Sequence, residues 1–277
     1  MADASTQFID VCSKSRALFA KHCTGRPPRD PYVKARWTMS GVHAFITDSL
    51  QNIYQLADKI PKHQEQDFAF FVFCATQSIE HHHHLEETYV LLGISLPPLL
   101  PNLVPRLEPE FKTEVLDEHA AFAKALTELD EYAMAMMGVQ KGKKYGLTVP
   151  IPNATKEPYD GQKIKRLLET LSVPLFTHLQ HEIAWLEPDR IRASGVPLSR
   201  FAEIDALIDQ HIQEELDAPS SLVFSLYHSP PYSQSPDLPW ILKKVIVPWL
   251  MYWKHRRCWR WFPDYSKQPF GPVEQSP

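Results

Sequence analysis

The chain is short of the residues that build most alternatives to a helical fold. Only nine glycines are spread over 277 residues, and runs of β-branched residues are few, which leaves little material for tight hairpins or extended sheets. Its four cysteines, Cys12, Cys23, Cys74 and Cys258, show no CxxC or paired spacing. That excludes a disulfide frame and a thiolate zinc site, and it fits a reducing, cytoplasmic compartment. Basic excess is missing as well: 29 Lys and Arg stand against 33 Asp and Glu, a formal net charge of -4, so nucleic acid is discounted as a partner. The longest apolar stretch, WILKKVIVPWLMYW at 240–253, is too short for a membrane span and is broken by Lys243, Lys244 and Pro248. The start, MADASTQFIDVC, has neither a basic n-region nor an apolar h-region, so no secretory leader is expected there.

What is abundant is proline and long 3.6-period patterning. The 25 prolines cluster where helices should stop, at 97–109, 149–158 and 229–239. Between them the periodicity predicts helices over 34–58, 65–92, 109–137 and 161–187, with a fifth at 199–217. Three regions follow: an N-terminal segment at 1–33, a helical domain at 34–190, and a C-terminal helical extension at 191–277. The extension ends in an aromatic, basic tail expected to pack on the helices through Trp249, Trp253, Trp259 and Trp261, with contact to an anionic membrane surface or partner as the lesser alternative.

Histidines and glutamates recur on the apolar stripes of these helices, where a polar group needs a partner or a metal. The tract EHHHHLEE at 80–87 contains His82 and Glu86 one turn apart, and THLQHEIAWLEP repeats the spacing with His178 and Glu182. One such pair alone is more often a surface ion pair than a pair of ligands. Two in the same register, 82, 86, 90 and 178, 182, 186, form a weak internal repeat. His43 on the first helix and His119 on the third then give every helix an inward donor. Imidazole with carboxylate is the mix that holds iron in helical bundles, and manganese is compatible with it. Helical phase selects His82 from the tract, with His83 and Glu87 as the alternative pair one step round. His81, His84 and His181 are expected in solvent, His181 also as an outer partner of the site. His211 and Glu215 match the spacing, but their polar surroundings mark them as a decoy. His22, His63, His228 and His255 are expected at the surface or in the tail.

Taken together, HHxxEE (His82 to Glu87), EH (Glu118 and His119), HLxxE (His178 to Glu182) and the leading helix VHAFITDSLQNIY resemble the hemerythrin, or HHE cation-binding, family over 35–190, and are closest to its fungal members. The resemblance implies an all-α, antiparallel up-down four-helix bundle with a non-haem diiron centre that meets dioxygen. It implies His43, His82, His119 and His178 as terminal ligands, with Glu86 and Glu182 bridging the irons. The oxygen carriers of that family have a further histidine four residues after the one on the third helix, where this chain has Ala123. Six ligands then remain where seven are expected, unless His83, Glu87 or Glu118 joins them.

A missing protein ligand opens a coordination position, the condition for metal-centred chemistry. The expected activity is therefore oxidation of a small apolar molecule by a diiron oxygenase or oxidase, fed by an electron donor that the sequence does not identify. Phe71, Tyr89, Phe122 and Trp185 are candidate pocket walls. The alternative is a non-catalytic protein that senses, stores or scavenges oxygen or iron.

Overall fold

The computed structural model describes residues 3–90, 111–195 and 197–264. The proline-rich stretch 97–109 and the helix ends expected at 91–92 and 109–110 lie outside the described residues. The chain is mostly helical: α1 (Ala4–Cys23), α2 (Pro31–Leu56), α3 (Glu65–Leu85), α4 (Phe111–Met137), α5 (Gly161–Trp185), α6 (Pro188–Ala193), α7 (Leu198–Glu215) and α8 (Ala218–His228). Aspartates open three of the long helices. Asp3 accepts from the Thr6 N–H, Asp30 from Tyr32 ahead of Pro31 in the first turn, and Asp160 from Gln162 and Lys163. Each such cap contributes about 1 kcal/mol.

The N-terminal segment is thus itself a long helix. Helix α1 packs along α2 and α5, while α2 meets α3, α3 meets α4 and α4 meets α5. Phe8, Cys12, Phe19 and Cys23 of α1 are buried in the same core as Trp37, Ile46, Phe71, Phe73, Leu171 and Phe176. Helix α3 has almost no polar face, since every residue from Phe68 to Gln77 is buried. All four cysteines are free thiols inside this core.

Two connections bear on the site. Helix α4 stops at Gly138, whose φ of +71 suits glycine, and a two-stranded antiparallel hairpin follows, pairing Val139–Lys141 with Thr148–Pro150. The hairpin brings Lys141 against Glu80 and Asp130, and Tyr145 against the rings of His81 and His84. Gly161 starts α5 so close to α2 that a Cβ there would lie 2.0 Å from the Ala57 carbonyl oxygen.

At the C-terminus, α8 lies on α2 and α3 and leads to a wide i→i+5 helical stretch, Leu242–Met251, then a tight turn at Tyr252–His255. The tail packs by only half of its expected anchors. Trp259 and Trp261 are buried, Trp261 edge-on to Phe68 at 5.1 Å, whereas Trp249 and Trp253 are exposed. One histidine expected at the surface or in the tail is inside: His228 is fully buried beside Phe224, whereas His255 of the tail is half-buried and stacks on Phe70 at 4.6 Å between centroids. No helix of the described residues is long and apolar enough to cross a membrane.

Candidate metal centre

Helices α2 to α5 each send histidine into one buried point. His43 comes from the middle of α2, and Phe19 of α1 stands edge-on to its ring at 5.2 Å. His82 and His83 come from the last turn of α3. At Glu86 the helix widens into a single i→i+5 stretch, Glu86–Val90, and the Glu86 N–H is shared between the carbonyls of His82 and His83. His119 comes from α4, and His178 and Glu182 lie one turn apart on α5.

The donors divide into two sets, each able to hold a metal ion. His43, His82, Glu86 and Glu182 form one, and His83, Glu86, His119 and His178 the other; within each set the ligand atoms lie within 4.8 Å of one another. Every member is buried, and Glu86 belongs to both. The six residues singled out from the sequence are all present, and His83 makes a seventh.

The orientation of the second set is fixed from behind. His83 Nδ1 donates to the Ile79 carbonyl at 2.9 Å, His119 Nδ1 to Glu87 Oε1 at 2.6 Å, and His178 Nδ1 to Glu118 Oε2 at 3.1 Å. Each imidazole that spends its one proton on Nδ1 turns a bare lone pair on Nε2 toward the centre. The Nε2 atoms of His119 and His178 then face each other at 3.2 Å with no proton between them, and His83 Nε2 has no hydrogen-bond partner among the described residues. Glu87 and Glu118 are therefore not inward donors. They hold ligand rings, as carboxylates do behind metal-bound histidines. Glu118 also accepts from His181 Nδ1 at 2.6 Å, which places His181 at the surface end of the same chain of bonds.

In the first set, His43 Nε2 lies 3.1 Å from Glu182 Oε2 and His82 Nε2 lies 2.7 Å from Glu86 Oε1. Neither contact has hydrogen-bond alignment, and all four carboxylate oxygens of Glu86 and Glu182 lack a partner among the described residues. Buried carboxylates without partners are costly, and a cation between them removes that cost.

Burial is the main influence on the titrating groups. It lowers the pKa of His43, His82, His83 and His119 and keeps these rings neutral, the form that binds metal. Glu86 is raised by burial and by the adjacent Glu182 charge. Glu182 is equally buried, yet the imidazoles of His43, His178 and His82 outweigh burial and bring it down to about 2. The surroundings thus push the two carboxylates apart, Glu86 toward its protonated form and Glu182 toward its ionised one.

A cleft of about 280 Å³ reaches the second set from outside, lined by His83, His119, Phe122, Ala123, Leu126 and Tyr145 among others. Ala123 leaves that wall low. Of the expected pocket walls, Phe122 lines the cleft, Phe71 is core beside Phe224, and Trp185 stands 6.4 Å from the His178 ring outside it. The side chains of Tyr89 and of Val90, the last position of the 82, 86, 90 register, lie outside what the structure describes.

His81 is buried, not solvated, stacked on His211 at 5.5 Å between centroids and tilted on Tyr145 at 4.9 Å; His84 is exposed. His211 contacts this outer pair and belongs to neither donor set. The chain matches no protein-family model, no curated protein and no solved structure.

Proposed function

We propose that this chain is a hemerythrin-like protein in which α2 to α5 form an antiparallel four-helix bundle around a dinuclear non-haem iron centre, and that it oxidises a small apolar molecule with dioxygen. The observation that carries this reading is the pair of donor sets sharing Glu86, one sealed and one open to a cleft. Two metals with a common carboxylate form a dinuclear unit, and imidazole with carboxylate suits iron.

The residues divide the work. His43, His82 and Glu182 fill one metal's protein side in a fully enclosed place. His83, His119 and His178 hold the other from three helices, with Glu87 and Glu118 fixing their rings. Glu86 would have to give up a proton to serve both metals. Iron held there would pass electrons to dioxygen, and the organic molecule or an external donor would return them. Phe122, Ala123 and Leu126 give an apolar body one wall to lie against beside the open set, while Glu80, Asp130 and Lys141 line the same cleft with charge.

A second reading, a non-catalytic sensor or store of oxygen or iron, is favoured by the sealing of the His43 set, which resembles a holding site more than a reacting one. The test is metal content per chain by elemental analysis, then the optical spectrum of the reduced protein on admitting air. Two irons and a change that does not reverse on removing oxygen support the oxidase reading. Two irons with a reversible change support the carrier or sensor. Absence of iron after anaerobic loading refutes both.

A further inference from the structure

From Trp240 to Trp261 the sequence WILKKVIVPWLMYWKHRRCWRW contains six Lys and Arg and no Asp or Glu, in a chain whose formal net charge is -4. The structure splits this segment into two faces. Val247, Cys258, Trp259 and Trp261 point inward and anchor it to the core. Trp240, Ile241, Val245, Trp249, Leu250 and Trp253 point outward, with Trp240 71% and Trp249 and Leu250 each 69% exposed. The wide turn of the i→i+5 helix gathers Ile241, Val245, Trp249 and Leu250 on this outer side. No other part of the described surface gathers so many large apolar side chains.

The charges around this face are only partly used. Lys254 pairs with Asp217 at 3.0 Å, Arg260 with Asp67 at 3.4 Å, and Lys243 reaches the Gln234 carbonyl. Lys244, Arg256 and Arg257 are exposed and have no ion pair among the described residues; Arg256 sits over the Trp253 ring at 5.4 Å. Tryptophan beside free lysine and arginine is the composition of a segment lying in the interface of an acidic bilayer, the indoles at headgroup depth and the cations on lipid phosphates and carboxylates.

We infer that this face docks the protein on an anionic lipid surface. A second copy fits less well. A self-complementary pairing would bring Lys244, Arg256 and Arg257 toward their own copies, like charge against like. An anionic bilayer instead takes both the apolar side chains and the free cations. The face is independent of whether the buried centre holds iron.

The test is flotation of the full chain with vesicles of phosphatidylcholine alone or with phosphatidylserine, alongside tryptophan emission and light-scattering mass. The expected result is binding to the anionic vesicles with a blue-shifted emission, and little binding to neutral ones. W249S/L250S should abolish it, and R256E/R257E should weaken it more than about tenfold. Both pairs are at the surface, and unchanged melting curves show that folding is intact. Failure to bind anionic vesicles, or equal binding by W249S/L250S, overturns the inference. So does a vesicle-free dimer that W249S/L250S dissociates, because the occupant is then a second copy.

Discussion

Removing Glu87 tests the metal centre without touching a ligand. Its carboxylate accepts from His119 Nδ1 at 2.6 Å, yet the side chain is 36% exposed, so its loss leaves the core intact. In Glu87→Ala the His119 proton is free to move to Nε2, where His178 Nε2 stands 3.2 Å away and accepts it. The metal-free protein thereby gains an N–H···N bond that the metal must break, and the ring loses its orientation. Losing such a carboxylate behind a ligand weakens metal binding about 10–100-fold, or about 1.4–2.8 kcal/mol. Only the set containing His119 should feel it. Anaerobic titration against a chromophoric chelator should show one Kd rising by that factor and the other unchanged, with melting of the metal-free protein shifted by less than about 0.5 kcal/mol. Glu87→Gln keeps an accepting oxygen and should fall between. An unchanged pair of constants in Glu87→Ala, or equal weakening of both, would refute the assignment of Glu87 to the His119 ring.

The remaining predictions concern ligand sharing, acid stability and packing. His83→Ala, His82→Ala and Glu182→Ala should each leave about one metal per chain, Glu86→Ala close to none, and His211→Ala the full complement, all read by elemental analysis. Burial holds His228 down to about 3, neutral in the fold with Nδ1 donating to the Phe224 carbonyl and Nε2 facing the Asn52 amide. The unfolded chain binds the extra proton below about 6.5, so stability is full above that pH and is lost as pH falls toward 3. His228 alone should then remove about 2 kcal/mol between pH 7 and 5, a slope that His228→Asn flattens in urea melts. Gly161→Ala should destabilise by about 1–3 kcal/mol, because the added Cβ meets the Ala57 carbonyl and backbone must shift. A thermal melt equal to the parent would contradict that close approach.

Periodicity and proline were enough to find α2, α5 and α7, whose ends fall within about three residues of those expected, and the C-terminal end of α4 at Met137. The reason is local: Asp30 before Pro31, Asp160 before Gly161 and Gly138 after α4 are caps written in the sequence. The two HxxxE pairs were legible for the same reason, since i and i+4 share a face in any helix. The tract at 81–84 was not, because choosing among its residues assumed one buried stripe. Helix α3 is enclosed by α2, α4, α8 and the hairpin, so His81, His82 and His83 are all buried and phase alone cannot separate ligand from packing. The roles of Glu87 and Glu118 are set by rings on other helices, and no spacing in one segment carries that. The tail misled because tryptophan was equated with burial, whereas four exposed tail residues, Trp249, Leu250, Trp253 and Arg256, share one outer side.

The buried thiols have a consequence for survival beside oxidising chemistry. Burial pushes Cys23 up to about 11 and Cys258 up to about 12, and also raises Cys12 and Cys74 well above the ordinary thiol value. Peroxide attacks the thiolate, and these groups stay protonated far above neutral pH. A protein that leaks hydrogen peroxide from an iron site would ordinarily injure its own sulfur first. With all four thiols buried and protonated, peroxide added to the protein should oxidise exposed tryptophan before any cysteine is lost.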